Sequence, residues 1–404
     1  MNEKSFDIIV IGGGIIGTAT SLSLKKNSKS KILLIESESK LASHQTGNNS
    51  GVIHSGLYYK PNSLKAKNCT EGRELLYKFC EENSIQYEKC GKIVVATSDH
   101  ELDSLDELYR RGLANGLTGI KKLGADEIKK YETHANGIAG LLVQETGIVD
   151  YSKVTNEYAK IFLLMDGMIE TNCKFLSLKV SGSELIVSTS KGEYKTKFLV
   201  NCGGLYSDRI AKLCGVNPRL QIVPFRGEYY KLKKEKEYLV KNLIYPVPDP
   251  RFPFLGVHFT RMMKGGVEAG PNAVLAFKRD GYTKKDFSAI DVSQMFFYSG
   301  FWKMAAKYYK MGFGEFYRSF SKKAFVNALQ KLIPKIREED IESGGAGVRA
   351  QALESDGKLV DDFRIVEAKK MVHVLNAPSP AATASLSIGK IIAGLVKQKF
   401  ESEV

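Results

Sequence analysis

Residues 6–11 form a short, β-branched apolar run, the pattern of a strand buried on both faces of a parallel sheet. A cluster of glycines interrupts it, and residues 15–26 then read as a helix. Residues 31–36 (Lys-Ile-Leu-Leu-Ile-Glu) repeat the buried-strand pattern. Strand, helix and strand in that order make a βαβ unit, whose crossover should be right-handed. Helices are expected over 64–83, 101–115 and 126–131, with a strand at 92–97. Residues 171–195 read as β-rich and lead into a second buried strand at 198–201, followed by a helix near 207–214. Pro246, Pro248, Pro250 and Pro253 impose an extended connection. A long helical region is expected over about 292–332. The end of the chain reads as a strand (372–375), a proline-rich turn and a helix over about 382–398. No internal repeat or low-complexity linker interrupts this order.

The unit at the N-terminus carries a recognisable turn. Gly12-Gly13-Gly14-Ile15-Ile16-Gly17 is a G-x-G-x-x-G between strand and helix, and Glu36 ends the next strand. Glu36 follows Gly17 by 19 residues, close to the ~20 of dinucleotide-binding folds. Gly12 permits the tight turn, Gly14 lets the backbone approach a pyrophosphate, and Gly17 lets the helix pack closely. The helix N-terminus offers N–H groups and a positive dipole end to phosphates. Glu36 can accept a ribose 2′-hydroxyl, and its charge would repel the 2′-phosphate of NADP. Spacing does not choose between FAD and NAD. The polar loop that follows, from His44 to Gly51, could wrap a long cofactor, or be an ordinary surface loop.

Composition narrows the class. A chain of 404 residues has room for two or three domains, and 43% hydrophobic residues support a core without disulfides. The six cysteines show no Cys-x-x-Cys, so zinc-ribbon and thioredoxin-like readings fail and no metal site is expected. Buried, reduced thiols in a cytoplasmic protein are the expectation. The net charge of +14 fits an anionic substrate, an anionic membrane or nucleic acid, but no nucleic-acid motif accompanies it. The longest uncharged run, residues 8–24, holds four glycines, which suits neither a membrane span nor a signal peptide.

Several longer motifs go further. The segment His44-Gln45-Thr46-Gly47-Asn48-Asn49-Ser50-Gly51-Val52-Ile53-His54-Ser55-Gly56-Leu57-Tyr58-Tyr59 resembles the flavin-embracing segment of the L-2-hydroxyglutarate dehydrogenase/oxidase family. That family belongs to the D-amino-acid-oxidase/glycerol-3-phosphate-dehydrogenase class of flavoproteins. Pro224 to Tyr229, Tyr245 to Pro250, Phe254 to His258, Gly270 to Arg279, Gly347 to Gln351 and Asn376 to Thr383 continue the resemblance in the same order. It covers essentially the whole chain and is weakest over 286–335.

The resemblance implies an α/β protein: a Rossmann-like FAD-binding domain of the D-amino-acid-oxidase type with an inserted antiparallel-sheet (α+β) substrate domain. The FAD-binding domain would comprise 1–80, 150–220 and 345–404, and the substrate domain 81–149 and 221–344. It further implies bound FAD and oxidation of L-2-hydroxyglutarate to 2-oxoglutarate, with electrons passed to a quinone or to oxygen. FAD would then be held by Gly12, Gly14, Ile15, Ile16, Gly17, Glu36 and Ser37. Gln45, Thr46, Asn48, Asn49, Ser50 and Gly51 would embrace it. Cys202, Gly203 and Gly204 would form a second glycine turn near the pyrophosphate. Pro380, Ala381, Ala382 and Thr383 would aim a helix N-terminus at the flavin pyrimidine edge. Related readings remain open: another 2-hydroxy acid, an amine or glycerol 3-phosphate as substrate, or a flavin-binding protein without catalysis.

Oxidising a 2-hydroxy diacid needs a proton acceptor, a hydride acceptor and charged partners for two carboxylates. His54 follows the flavin loop on a short expected strand, and a neutral imidazole suits a general base. His258, in an apolar run, is the second candidate, and either could instead be a core histidine. His100 and His134 sit among polar neighbours as surface residues. Arg349 is the candidate for the C1 carboxylate, because related flavoenzymes use an arginine in a comparable Gly-x-Arg turn, and guanidinium pairs with carboxylate bidentately. Tyr58, Tyr59 and Asn272 could donate hydrogen bonds to substrate. The distal carboxylate could meet Lys278, Arg279, Arg251 or Arg226.

Residues 301–337 hold nine Lys or Arg against one acid, Glu315, interleaved with aromatics that include the only tryptophan, Trp302. That mixture suits a helix lying on an anionic leaflet, or a domain helix with a solvated basic face. The expectation is a cytoplasmic protein, peripheral on the inner face of the cytoplasmic membrane if the helix docks there.

Overall fold

The structure, a computed structural model, describes residues 4–249 and 255–402. Ser5–Ile11 (β1), Ile15–Lys26 (α1) and Ile32–Ile35 (β2) form the expected unit, with β1 and β2 parallel. Met168–Glu170 extends the parallel sheet beyond β2; Gly192–Asn201 and then Met371–Asn376 extend it beyond β1. Three antiparallel strands complete eight: Phe175–Ser181, Glu184–Thr189 and Arg364–Ala368. The strand expected at 198–201 is the buried end of a longer one whose first half forms a hairpin.

Alternation along β1 explains the layers. Ile8 and Val10 pack with Ile388 and Ile392 of the last helix, Ser385–Ser402; Ile9 and Ile11 pack on the opposite face with Leu199 and Ile210. Each such side chain contributes about 1.5–3 kcal/mol on full burial, so both faces of the sheet need cover.

The second sheet has nine strands, antiparallel except where Leu243–Pro246 runs parallel to Lys92–Ala96. Its longest ladder joins Leu220–Leu232 to Ile341–Glu354 and sets Arg349 opposite Phe225. A small third sheet pairs Val52–Ile53 (β3) with Gly147–Val149, which also pairs with Tyr87–Glu88. Helix Leu64–Glu82 (α2) packs against the last helix, with Gly72 so close that a Cβ there would lie 2.5 Å from Ala384 Cα.

Three expectations change. The helical region over 292–332 is three helices, Ala289–Phe296, Ser299–Phe320 and Lys322–Leu329; Ser288 caps the first, and Ser321 starts the third by accepting from the N–H of Ala324. The last helix starts at Ser385 rather than 382. Arg349 sits inside a 14-residue strand, not in a turn. The cysteines are free and five are buried, but Cys90 is half-buried. Among the described residues no helix is long and apolar enough to cross a membrane.

Candidate active site

A cavity of about 1730 Å³ opens between the two large sheets. It exceeds the ~300–1,000 Å³ of a site for one small molecule, and so has room for a dinucleotide and a small acid together. Gly12, Gly14, Ile15, Ile16, Glu36 and Ser37 line one end. Gly12 has φ 106°, and a Cβ there would lie 2.5 Å from Cys202 O. A Cβ on Gly17 would lie 1.9 Å from Gly12 O, so the closeness this glycine permits is between α1 and its own entry turn. Gly17 itself does not line the cavity. Glu36 Oε2 accepts from the N–H of Gly13 at 2.6 Å, and Oε1 from the N–H of Glu38 at 2.9 Å and from Ser37 Oγ at 3.0 Å. The carboxylate is therefore fixed at the strand end, where a ribose would meet it.

The polar loop holds itself together. Asn48 Nδ2 donates to His44 O at 2.8 Å, Asn49 Nδ2 to Thr46 O at 2.7 Å, and the N–H of Gly51 to Asn49 Oδ1 at 2.8 Å. Thr46 Oγ1 accepts from the N–H of Ile15 at 3.0 Å, which ties the loop to the start of α1. Gln45, Thr46, Asn48, Asn49 and Ser50 line the cavity; Gly51 does not. Across from them Cys202, Gly203 and Gly204 form the second turn, shaped by Asn201, whose Oδ1 accepts from the N–H of Gly203 at 3.0 Å. These donors and close backbone approaches fit a bound dinucleotide.

Pro380, Ala381 and Ala382 line the cavity where the last helix begins. Thr383 lies behind them, 1% exposed, and its hydroxyl does a different job. Thr383 Oγ1 accepts from the backbone N–H of His54 at 3.0 Å and lies 2.9 Å from Tyr151 Oη. It thereby links the cofactor-edge turn to the candidate base.

The far end of the cavity gathers His54, Tyr58, Tyr59, Tyr229, Tyr245, His258 and Arg349. His54 and Tyr59 are deeply placed yet partly open, and Arg349 is exposed; what they face is the cavity they line. Burial pulls His54 from 6.5 down to about 3, with repulsion from Lys92, His258 and Arg349 acting in the same direction. Its Nε2 lies 3.3 Å from Ser379 Oγ. His258 packs tilted against Tyr245 with ring centroids 4.0 Å apart, and its Nδ1 donates to Gly256 O at 2.9 Å. Burial lowers His258 to about 4. Both imidazoles are thus neutral near pH 7. Enclosure within the cavity also lowers the pKa of Arg349, while Tyr229 and Tyr59 beside it favour its charge.

Other expected contacts go elsewhere. Arg279 forms a buried pair with Asp208, Arg226 pairs with Glu228 at 2.9 Å, and Lys278 reaches Asp280 at 3.2 Å. None of the three lines the cavity, because each has a nearer carboxylate. Arg251 lies outside the described residues. Asn272 borders the cavity, but its Oδ1 accepts from the N–H of Glu228 at 2.9 Å and its Nδ2 donates to Glu228 Oε2 at 3.1 Å. His100 is exposed and His134 half-buried against Tyr238. Sequence reasoning missed Tyr229, Tyr245 and Lys92. Lys92 begins an otherwise apolar strand buried on both faces, and that pattern was its signal.

Comparison with known proteins gives concordant findings. The family model described as "DAO: FAD dependent oxidoreductase" matches residues 7–395. The chain is 55% identical over 397 residues to the L-2-hydroxyglutarate dehydrogenase of Indibacter alkaliphilus, covering 98% of this chain and 100% of that one. It is 46% identical over 419 residues to the mitochondrial L-2-hydroxyglutarate dehydrogenase of Homo sapiens, covering 99% and 90%. Among solved structures, the L-alpha-glycerophosphate oxidase of Mycoplasma pneumoniae with FAD bound superposes with a TM-score of 0.80 at 23% identity, covering 98% and 95%.

Proposed function

The chain belongs to the FAD-dependent oxidoreductases of the D-amino-acid-oxidase type and, among them, to the L-2-hydroxyglutarate dehydrogenase family, and on that premise we propose that its cavity oxidises L-2-hydroxyglutarate to 2-oxoglutarate between Arg349 and His54. FAD is its cofactor. In this reading the eight-stranded sheet carries the cofactor and the nine-stranded sheet the substrate. When bound, the flavin supplies the hydride acceptor at N5.

The chain's own residues do the rest. Arg349 holds the C1 carboxylate, with Tyr59 and Tyr229 beside it, and so fixes which face of the substrate carbon is presented. His54 Nε2 takes the hydroxyl proton, and Ser379 Oγ, 3.3 Å away, is the first group able to share it. Burial holds this imidazole unprotonated in the empty site, and the substrate's carboxylates favour the imidazolium that forms as it takes the proton. Tyr245 and His258, packed ring against ring, line the same end of the cavity. The observation that carries the reading is the meeting of a guanidinium and an unprotonated imidazole at the end of one cavity whose other end is the Gly12–Glu36 dinucleotide cradle.

The test compares two variants. His54→Ala should lower kcat by about 10²–10⁴-fold. Arg349→Ala should in addition raise KM strongly, since carboxylate binding is shared by substrate and transition state. Wild-type kcat/KM in either variant removes that residue from its role.

For the acceptor, a specific surface favours a quinone in a bilayer. Trp302, Tyr309, Phe313, Tyr317 and Phe320 are exposed along helix Ser299–Phe320, next to the exposed Phe297, while Phe301 and Met304 pack inward. The same helix places Lys303 and Lys307 at the cavity. Exposed aromatics on a helix that also carries basic residues suit an interfacial helix on an anionic leaflet, close to where electrons would leave.

A further inference from the structure

Lys92 is 1% exposed, and its ammonium has no hydrogen-bond partner. It shares a strand face with the buried Val94 and Ala96, which pack with Tyr58 and Tyr245. Its Nζ stands 4.3 Å from the centre of the Tyr58 ring and 5.1 Å from that of Tyr245. Tyr245 in turn packs against the His258 ring. The titratable groups around this corner are Cys69 on α2, His54, Tyr58 and Tyr59 after β3, Tyr245 and His258 on the nine-stranded sheet, and Arg349. None of them is a carboxylate. A buried ammonium held only by ring faces is costly, and a dianion in the adjoining cavity would supply the missing counter-charge.

We propose that Lys92 is a positioning residue whose buried ammonium, set behind the Tyr58 and Tyr245 rings, keeps His54 and His258 unprotonated by its charge when the substrate dianion is bound. The proposal rests on the reading of His54 as the base. Lys92 does not line the cavity, so it acts on the histidines by charge and not by contact with substrate. Burial brings its own pKa down to about 7, so the empty protein near neutrality carries this charge only in part. Two carboxylates arriving nearby draw the proton onto it. The resulting positive charge opposes protonation of His54 even as the dianion favours it.

The experiment is the pH dependence of kcat and kcat/KM for the holoenzyme and for Lys92→Met and Lys92→Arg. Without the repelling charge, the His54 pKa in the substrate complex rises, so Lys92→Met should move the acid limb of kcat to higher pH by about one unit. Lys92→Arg should restore the wild-type acid limb. Wild-type kcat/KM should fall above about pH 7 as the free enzyme loses the Lys92 charge that the dianion meets, and Lys92→Arg should abolish that fall because a guanidinium stays charged there. An acid limb that stays in place in Lys92→Met, with kcat merely reduced, overturns the proposal. If Lys92→Met does not load FAD, Lys92→Arg decides: a basic limb identical to wild type overturns it. Failure of the His54 reading looks different, since His54→Ala would then keep the wild-type acid limb whatever stands at 92.

Discussion

Replacing Thr383 by Val removes one oxygen and keeps the shape of the side chain. That oxygen accepts from the backbone N–H of His54 at 3.0 Å and meets Tyr151 Oη at 2.9 Å, in a spot where Thr383 is 1% exposed. Tyr151 keeps a second partner, Val52 O at 3.0 Å, so it has a fallback. The His54 N–H has none shown, and an unsatisfied buried donor costs about 1–3 kcal/mol. The expected loss of stability is therefore about 1–3 kcal/mol, seen as an earlier thermal release of FAD. Because the lost bond positions the base, part of the same energy should reappear in the chemical step; about 1.4 kcal/mol there is a tenfold fall in the rate of flavin reduction. Stopped-flow reduction by substrate and thermal melting measure the two effects. Tyr151→Phe should be milder, and the double variant should cost less than the sum, because both changes remove one shared contact. A Thr383→Val enzyme that melts and reacts as wild type would refute the link between the flavin-edge turn and His54.

Two further outcomes are expected. His54, His258 and His373 are lowered from 6.5 to about 3, 4 and 4, chiefly by burial; the unfolded chain then binds more protons below pH 6.5, so stability should fall from about pH 6.5 toward 4, and a flat denaturation profile over that window would contradict the burial of these rings. Phe313→Ser with Phe320→Ser, at side chains 74% and 77% exposed, should reduce co-sedimentation with anionic liposomes and leave activity with a soluble dye unchanged; undiminished sedimentation would move the membrane contact elsewhere.

Local order carried the N-terminal unit. The buried-strand runs, the glycine turn and Glu36 lie within 36 residues, and their geometry depends on neighbours in sequence. The loop from His44 and the tyrosines after it were legible by resemblance, as was Arg349. Its setting was not: the likeness to related flavoenzymes implied a Gly-x-Arg turn, whereas pairing with Leu220–Leu232 draws it into a strand. Three of the basic residues set against the distal carboxylate do not line the cavity. Asp208, Glu228 and Asp280 claim Arg279, Arg226 and Lys278; Asp208 comes from another element, while the other two carboxylates lie only two residues from their partners. Lys92 was passed over because a charge at a strand end usually faces water; only Val94 and Ala96, buried on its own face, give it away. Thr383 was assigned to the cofactor by its place in a motif, and its hydroxyl instead meets a residue 329 positions away in the chain.

The most direct test of the whole account is anaerobic reduction of the purified yellow holoenzyme by each enantiomer of 2-hydroxyglutarate, followed by flavin absorbance. L-2-hydroxyglutarate should bleach the flavin and yield one 2-oxoglutarate per flavin, while the D-enantiomer leaves the spectrum unchanged, because Arg349 and His54 fix which face of the carbon is presented. Bleaching by glycerol 3-phosphate or an amine with no response to L-2-hydroxyglutarate, or equal bleaching by both enantiomers, would contradict it.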